Sequence, residues 1–353
     1  MSASPATPAR LVRLGIVLAA ILVLQLGLIA AFVGASRDPS PHHVPLAVVG
    51  TPREVAPLAA KLGGTGAFAV RQEPTVAAAE QAIGHQQVYG ALVPAARPET
   101  LLVASAASPL VAQLLTRTFS AAAQARGTTL AVRDVVPLPA SDPRGVAGPY
   151  LVLGLVIGGY IGAMVIGRLI GMRSPSAGHL GLRLGILACY AVAAGALGVT
   201  LLDPVLGVLH GHALVLAATG ALVAFAVGSF TSALQTMLGL AGTLLSVVIL
   251  VVVGNPAAGG GQIPPTLLPR AWGWLAHVLP NPAGMAAVRS LTFFSGHGAA
   301  QPFLVLVIYA AASAVVMLAM TLIPALRRRS QVPAGTAALT GDLAAEAAPG
   351  TML

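Results

Sequence analysis

The stretch from Tyr150 to Leu169 reads YLVLGLVIGGYIGAMVIGRL and carries one charge, at Arg168. A helix needs about 20 such residues to cross a hydrocarbon core of about 30 Å. A water-soluble fold would interrupt the run with charged surface residues. Because lipid offers the backbone no hydrogen-bond partners, the stretch is predicted to be a membrane-spanning helix. Membrane β-strands would alternate apolar and polar residues, and this stretch does not.

Five further segments have the same character. They are Leu14–Val33, Leu184–Leu202, Ala213–Phe230, Ala233–Val253 and Phe303–Ile323. The first follows Arg10 and Arg13, as in a signal peptide, but the apolar part of a signal peptide is usually 7 to 15 residues. We interpret it as an uncleaved anchor, with cleavage near Ser36 as the alternative. The chain is thus predicted to be an α-helical polytopic membrane protein with six transmembrane helices.

The composition agrees with a membrane protein. Hydrophobic residues make up 56% of the chain and charged residues 8%, against about 25% charged in ordinary globular proteins. The net charge of +9 comes from basic residues at the ends of apolar segments. No basic stripe is interleaved with aromatic residues, so we predict no nucleic-acid partner. The single cysteine, Cys189, lies inside an apolar segment and predicts no disulfide.

Residues 34–148 have ordinary soluble character and are predicted to form a small α/β domain. A capping box, Thr51-Pro52-Arg53-Glu54, opens its first helix, and Ser108-Pro109 opens its longest, which ends at Arg126. Another helix is predicted over Val76–Ile83. The strands are predicted at Val44–Val49, Phe68–Val70, Val88–Val93, Leu101–Val103 and Leu130–Val136. Their order in the sheet stays open.

Basic residues are concentrated on alternate connections between the apolar segments. Short segments on one side carry Arg10, Arg13, Arg168, Arg173, Arg183, Arg327, Arg328 and Arg329, whereas the opposite side carries only Arg270 and Arg289. Lys and Arg accumulate in short cytoplasmic loops. This predicts cytoplasmic termini, residues 1–13 and 327–353, and an extracytoplasmic α/β domain. The abundance of Arg over Lys suggests a high-GC bacterial genome, so the membrane is predicted to be a bacterial plasma membrane. The tail after Arg329 is predicted to be disordered.

The five-helix part, residues 149–326, contains two irregular places. Ser229, Thr231, Ser232, Gln235 and Thr236 are predicted to mark a tight inner turn. The outer connection, residues 254–301, is too apolar for a plain loop and is predicted to hold two interfacial or re-entrant half-helices. Trp272 and Trp274 in the first would anchor at the membrane–water interface. The second, Asn281–Phe294, would place Met285, Val288 and Leu291 on one face.

No constellation of enzyme residues stands out, so we predict no catalytic, cofactor or metal site. The only lysine, Lys61, is not in a Walker motif. His42-His43 and His210-Gly211-His212 lack further ligands and are interpreted as loop histidines. Proton- or sodium-driven carriers usually carry ionisable groups inside the membrane. The apolar segments of this chain hold no ionisable group except Arg168, which lies near the end of its segment. The chain is therefore predicted to lack an energy source of its own.

Several short motifs accompany this order of segments. They are Val44–Gly50, Tyr89–Pro94, Gly254-Asn255-Pro256, Pro264–Pro269, Leu279–Pro282 and Arg289. Together with one helix, an external α/β domain and five more helices, they resemble the type-2 ATP-binding-cassette (ABC) transporter permeases. The branch they resemble most is the phage-infection protein (YhgE/Pip) group.

The resemblance implies a permease that dimerises, as a homo- or heterodimer, and pairs with a separate ATPase subunit. The basic loop with Arg168, Arg173 and Arg183 would face that ATPase. The expected function is outward export of a hydrophobic or amphipathic compound. A non-transporting envelope protein whose external domain binds a partner is the main alternative, and a secondary carrier and a membrane enzyme are weaker ones.

Overall fold

The computed structural model describes residues 8–37, 39–94, 98–208 and 212–329. In this part of the chain, six helices are long and apolar enough to cross a membrane. These spans are Leu14–Ser36, Ala147–Ile170, Ala177–Val205, Ala213–Leu238, Leu240–Ala257 and Ala300–Ile323. They confirm the six predicted apolar helices and support a multi-pass membrane protein. The predicted disordered tail beyond Arg329 lies outside the described residues.

Helices alternate with five strands in the first part of the chain, and helices follow one another after it. The elements are α1 (Pro8–Ser36), β1 (Val44–Val49), α2 (Pro52–Gly63), β2 (Phe68–Glu73), α3 (Val76–Gly84), β3 (Gly90–Val93), β4 (Glu99–Val103), α4 (Pro109–Ala125), β5 (Leu130–Asp134), α5 (Ala147–Ile170), α6 (Ala177–Thr200), α7 (Ala213–Leu238), α8 (Leu240–Val247), α9 (Gly254–Ala257), α10 (Arg270–Val278), α11 (Pro280–Phe293) and α12 (Ala300–Arg329). Leu201–Val205 and Val248–Val253 are π-helical extensions of α6 and α8.

The strands form one sheet in the order β2-β1-β3-β4-β5. All neighbours are parallel except β3 and β4, which pair antiparallel. Alternate residues along β1 point to opposite faces. Leu46 packs with the side of the sheet that α2 and α4 cover, and Ala47 packs with the side that α3 covers. The predicted α/β domain is therefore a three-layer unit.

Both predicted helix starts in this domain are present. The Glu54 carboxylate accepts a 2.8 Å hydrogen bond from the Thr51 backbone N–H. This bond, with a second from the Thr51 hydroxyl, lowers the pKa of Glu54. At the start of α4, the Ser108 hydroxyl accepts a 3.3 Å hydrogen bond from the Val111 N–H. Such caps satisfy N–H groups that have no partner inside the helix.

Helix α7 is the central helix of the bundle and packs against α5, α6, α11 and α12. Its neighbours approach it closely where the residues are small. A Cβ atom added at Gly195 of α6 would lie 2.4 Å from the Ala217 carbonyl oxygen of α7, so no other residue fits there. Small residues at helix contacts are typical of membrane bundles. Helix α1, in contrast, lies at the edge, against α9 and the Val248–Val253 stretch.

The predicted inner turn at Ser229–Thr236 is wrong. Helix α7 continues through these residues to Leu238, and the chain turns at Gly239, where φ is 63°. The polar side chains are buried inside the bundle and not exposed at a turn. Serine and threonine can bond to their own helix, as the Thr231 hydroxyl does with the Val227 carbonyl, so a polar run need not end a membrane helix.

The boundaries of the α5–α6 turn and of the fifth span also differ from the prediction. The basic loop from Arg168 to Arg183 is shorter, because α5 extends to Ile170 and α6 begins at Ala177. Arg183 is therefore a helical residue, in the second turn of α6. The fifth span begins at Leu240, after the Gly239 turn.

The 254–301 connection contains the two predicted short helices, α10 and α11. Helix α11 differs from the expected amphipathic helix because it is enclosed on nearly all sides by α5, α7 and α12. Met285 and Val288 are buried as predicted, but so are Pro282, Ala283 and Ala287 on other faces. The apolar face visible in the sequence is only part of the buried surface, and Leu291 of that face is half-buried.

Candidate functional site

The α/β domain is docked on the bundle through the segment that precedes α10. Leu267 is 4% exposed and belongs to the core of the α/β domain, with Val44 and Leu46. The His42 N–H donates a 2.8 Å hydrogen bond to the Thr266 carbonyl. Residues that are distant in sequence thus share one hydrophobic core, which fixes this segment under the sheet.

A second attachment joins the end of α3 to the loop after α11. The Gln86 side-chain amide donates to the Ser290 hydroxyl at 2.9 Å and to the His297 carbonyl at 2.8 Å. The imidazole rings of His85 and His297 stack with centroids 4.2 Å apart. The domain is therefore held at two places, with a space between them.

This space is a cavity of about 310 Å³, which we call the junction cavity. The apolar part of the lining, which we call the apolar wall, includes Pro45, Val88, Ile263, Pro264, Pro282 and Met285. The polar groups that line it are Gln86, Tyr89, Thr266, His277, Arg289 and Gln301. Small-molecule pockets commonly combine a mainly apolar surface with a few polar groups. The junction cavity has that character.

Arg289 is the one charged residue of this lining. It lies on α11, is half-buried, and donates from Nη2 to the Gly261 carbonyl at 3.0 Å. None of the ion pairs in the described part of the chain involves it. Asp203 is the only acidic residue between Asp142 and Asp342. The cavity consequently has a positive charge with no carboxylate beside it.

Burial and this charge act together on two titrating groups. Burial lowers the pKa of Arg289, although a guanidinium stays charged at neutral pH. Burial raises the pKa of the Tyr89 phenol, and the nearby Arg289 charge offsets part of that rise. At neutral pH the phenol therefore keeps its proton and can act as a hydrogen-bond donor beside the guanidinium.

His277 and Gln301 also line the cavity. The His277 Nδ1 atom lies 2.7 Å from the Gly273 carbonyl, which can only accept a hydrogen bond. The proton is therefore assigned to Nδ1, which leaves Nε2 as an acceptor. Gln301 donates to the His277 carbonyl at 2.7 Å and ties the start of α12 to α10.

The three arginines predicted to face an ATPase do not form one surface. Arg168 and Arg173 are exposed at the α5–α6 turn, whereas Arg183 is 1% exposed. The Arg183 guanidinium donates to the Met172 carbonyl at 2.6 Å, to Gln235 Oε1 at 2.8 Å and to the Thr236 hydroxyl at 3.2 Å. Arg183 therefore holds the turn against α7 and is not available at its surface.

The sequence contained a signal for this arrangement. Ser232, Gln235 and Thr236 are spaced at i, i+3 and i+4, so they share one face of a helix. A polar stripe on an otherwise apolar helix indicates an internal hydrogen-bond network. Gln235 continues the network to Thr243 of α8, to which its amide donates at 3.2 Å.

A second buried amide network was not visible in the sequence. Asn281 at the start of α11 is fully buried and donates from Nδ2 to the Leu250 carbonyl at 2.7 Å and to Asn255 Oδ1 at 2.8 Å. It thus connects α11 with the π-helical stretch of the fifth span, whose backbone would otherwise lose partners.

The remaining predicted residues are placed as follows. On α10, Trp272 is half-buried and Trp274 is 66% exposed, so Trp274 is the one with a free ring surface. Arg10 and Arg13 lie within α1, and the Arg327–Arg329 triplet forms the end of α12. The described residues contain no group of three or more His, Cys, Asp or Glu that could hold a metal. His210 and Gly211 lie outside them.

Comparisons with models of protein families, with curated proteins and with solved structures found no match for this chain.

Proposed function

We propose that this chain is the permease subunit of an ABC-type exporter in a bacterial plasma membrane, with both termini in the cytoplasm. It moves a hydrophobic or amphipathic compound outward, and a separate ATPase subunit hydrolyses ATP. The observation that carries the proposal is the junction cavity, which lies where the α/β domain meets the ends of the spans. Its mixed apolar and polar lining suits an amphipathic compound that leaves the bundle on the outer side.

A continuous set of contacts supports a link between the ATPase side and the cavity. Arg168 and Arg173 at the α5–α6 turn are the surface we assign to the ATPase. Arg183 bonds the turn to α7, and α7 packs directly against α11. Helix α11 carries Met285 and Arg289 into the cavity. Movement of the turn would therefore reach the cavity through two packed helices.

The distribution of acidic residues also favours an external energy source. Carriers driven by protons or sodium ions use carboxylates within the membrane. In the described spans, the only carboxylate is Asp203, in the terminal π-helical turn of the third span. A separate ATPase supplies the energy that transport would otherwise obtain from ion binding at such a carboxylate.

Genetic deletion tests the proposal. Deleting the partner ATPase is expected to reproduce the phenotype of a strain that lacks this chain. Arg168→Glu with Arg173→Glu is expected to weaken the complex between the two proteins, because it reverses the assigned contact surface. Arg270→Glu, at an exposed arginine of α10, is the matched control. An ATPase deletion without the permease phenotype would contradict the proposal.

One observation favours the envelope-protein alternative. An open groove of about 460 Å³ lies on the α/β domain between α4 and the segment after β5, with Arg117 and Asp134 in its lining. An extended segment of another protein could lie there. Under this alternative, Arg117→Glu abolishes function while deletion of the ATPase has no effect.

A further inference from the structure

We propose that the junction cavity binds an amphipathic organic acid, with the carboxylate on Arg289 and the tail along the Pro282–Met285 wall. The inference rests on the proposed function, because it names the substrate class of that exporter. The binding step itself requires no ATPase, so the two can be tested separately.

The charge of Arg289 is the first argument. A half-buried guanidinium without a carboxylate is costly unless a ligand or solvent compensates it. The Gly261 carbonyl accepts from Nη2 only. Nη1 and Nε make no hydrogen bond with the described residues, and neither atom is fully buried. Nη2 has a second N–H, so Nε with Nη2, or Nη1 with Nη2, can offer the parallel pair of donors that matches a carboxylate.

The neighbouring groups favour an acid over another polar head group. Tyr89 keeps its proton next to Arg289 and can donate a second hydrogen bond to the same carboxylate. No acidic side chain lines the cavity, so a cationic ligand would meet only the positive charge of Arg289. An uncharged head group would leave that charge uncompensated.

The apolar wall and the volume define the rest of the ligand. Met285 is a flexible side chain that adapts to irregular ligands, and the prolines of the same lining are rigid. A volume of about 310 Å³ is at the lower end of the range for small-molecule pockets. It fits one short alkyl or aryl chain and is too small for a two-chain lipid.

The test is equilibrium binding of radiolabelled decanoate to the full chain in phosphatidylcholine nanodiscs, with empty nanodiscs as background. Wild type is expected to bind saturably, and decanol and decyltrimethylammonium are expected not to compete. Arg289→Gln is expected to weaken binding about tenfold or more, because charge-assisted hydrogen bonds are lost. Ala286→Phe, which fills the cavity and leaves Arg289 in place, should do the same. Arg270→Gln should bind as wild type does.

Size-exclusion elution and the thermal midpoint establish whether each variant folds. If Arg289→Gln does not fold, Ala286→Phe together with Arg289→Lys, which keeps the charge but loses the planar donors, decides the question. Binding that is unchanged in these variants, or equal competition by decanol, would overturn the inference. Decanoate binding without ATP-dependent efflux would contradict the exporter and leave the site intact. Efflux of other compounds without decanoate binding would overturn this inference and leave the exporter proposal intact.

Discussion

The guanidinium of Arg183 on α6 donates a 2.8 Å hydrogen bond to the side-chain oxygen of Gln235 on α7. Both residues are buried, and all partners of the arginine are neutral oxygen atoms. A buried charge that is compensated only by dipoles depends on every one of them. This hydrogen-bonded pair therefore fixes the packing of α6 against α7. The sequence alone showed only that a loop connects these two helices.

Removal of this guanidinium should destabilise the bundle. Arg183→Gln is expected to lower the free energy of unfolding by about 2 kcal/mol or more, because several buried hydrogen bonds to a charged group are lost. The measurement is the thermal midpoint in detergent. Arg173→Gln, at the exposed arginine of the same region, is the control and should leave the midpoint unchanged. Equal midpoints for the two variants would show that Arg183 has no structural role.

Gly167 of α5 provides an independent test of the same network. A Cβ atom at this position would lie 2.5 Å from Gln235 Oε1, so Gly167→Ala must displace the amide that binds Arg183. We expect a loss of about 1–3 kcal/mol. Gly154→Ala on the same helix meets nothing within 4 Å and should be neutral or slightly stabilising. If Gly167→Ala is as stable as Gly154→Ala, the position of Gln235 in this account is incorrect.

Loss of the hydrogen bonds that Gln86 makes to the loop after α11 is expected to loosen this loop without unfolding the protein. Gln86 has a φ of 58°, and asparagine tolerates such a backbone conformation, so Gln86→Asn keeps the backbone but shortens the reach to Ser290 and His297. Faster amide hydrogen exchange is expected in the loop after α11. The neighbouring Gln87→Asn removes only an exposed bond with Arg71 and serves as control. Unchanged exchange in the loop would contradict the predicted role.

Gln25 on α1 tests the dimer that the resemblance to permeases implies. Its side chain is exposed on a helix that few residues cover, and it makes no hydrogen bond with a described residue. An amide in hydrocarbon without a partner is unfavourable, and Gln25 of a second copy can provide one. Gln25→Leu is expected to reduce the dimer fraction in nanodiscs, counted by single-molecule photobleaching, whereas Val23→Leu is not. A Gln25→Leu protein with an unchanged dimer fraction would place the dimer contact elsewhere.

The sequence was sufficient for the spans and for the elements of the α/β domain, because apolar length and helix caps are local properties. It was insufficient where the outcome depends on partners. Whether Ser229–Thr236 forms a turn or a buried stripe depends on Arg183, some 50 residues earlier in the chain. The strand order depends on which strands pair. The junction cavity requires Tyr89 and Arg289 to line one space, and no local pattern in the sequence records that arrangement.

The most direct test of the exporter proposal is gentle detergent purification of the tagged protein from its own host, followed by mass spectrometry of the proteins that co-elute. The proposal predicts a stoichiometric partner with a Walker motif, and its loss when Arg168 and Arg173 are both changed to Glu. Repeated recovery of other envelope proteins, without any such ATPase, would contradict it.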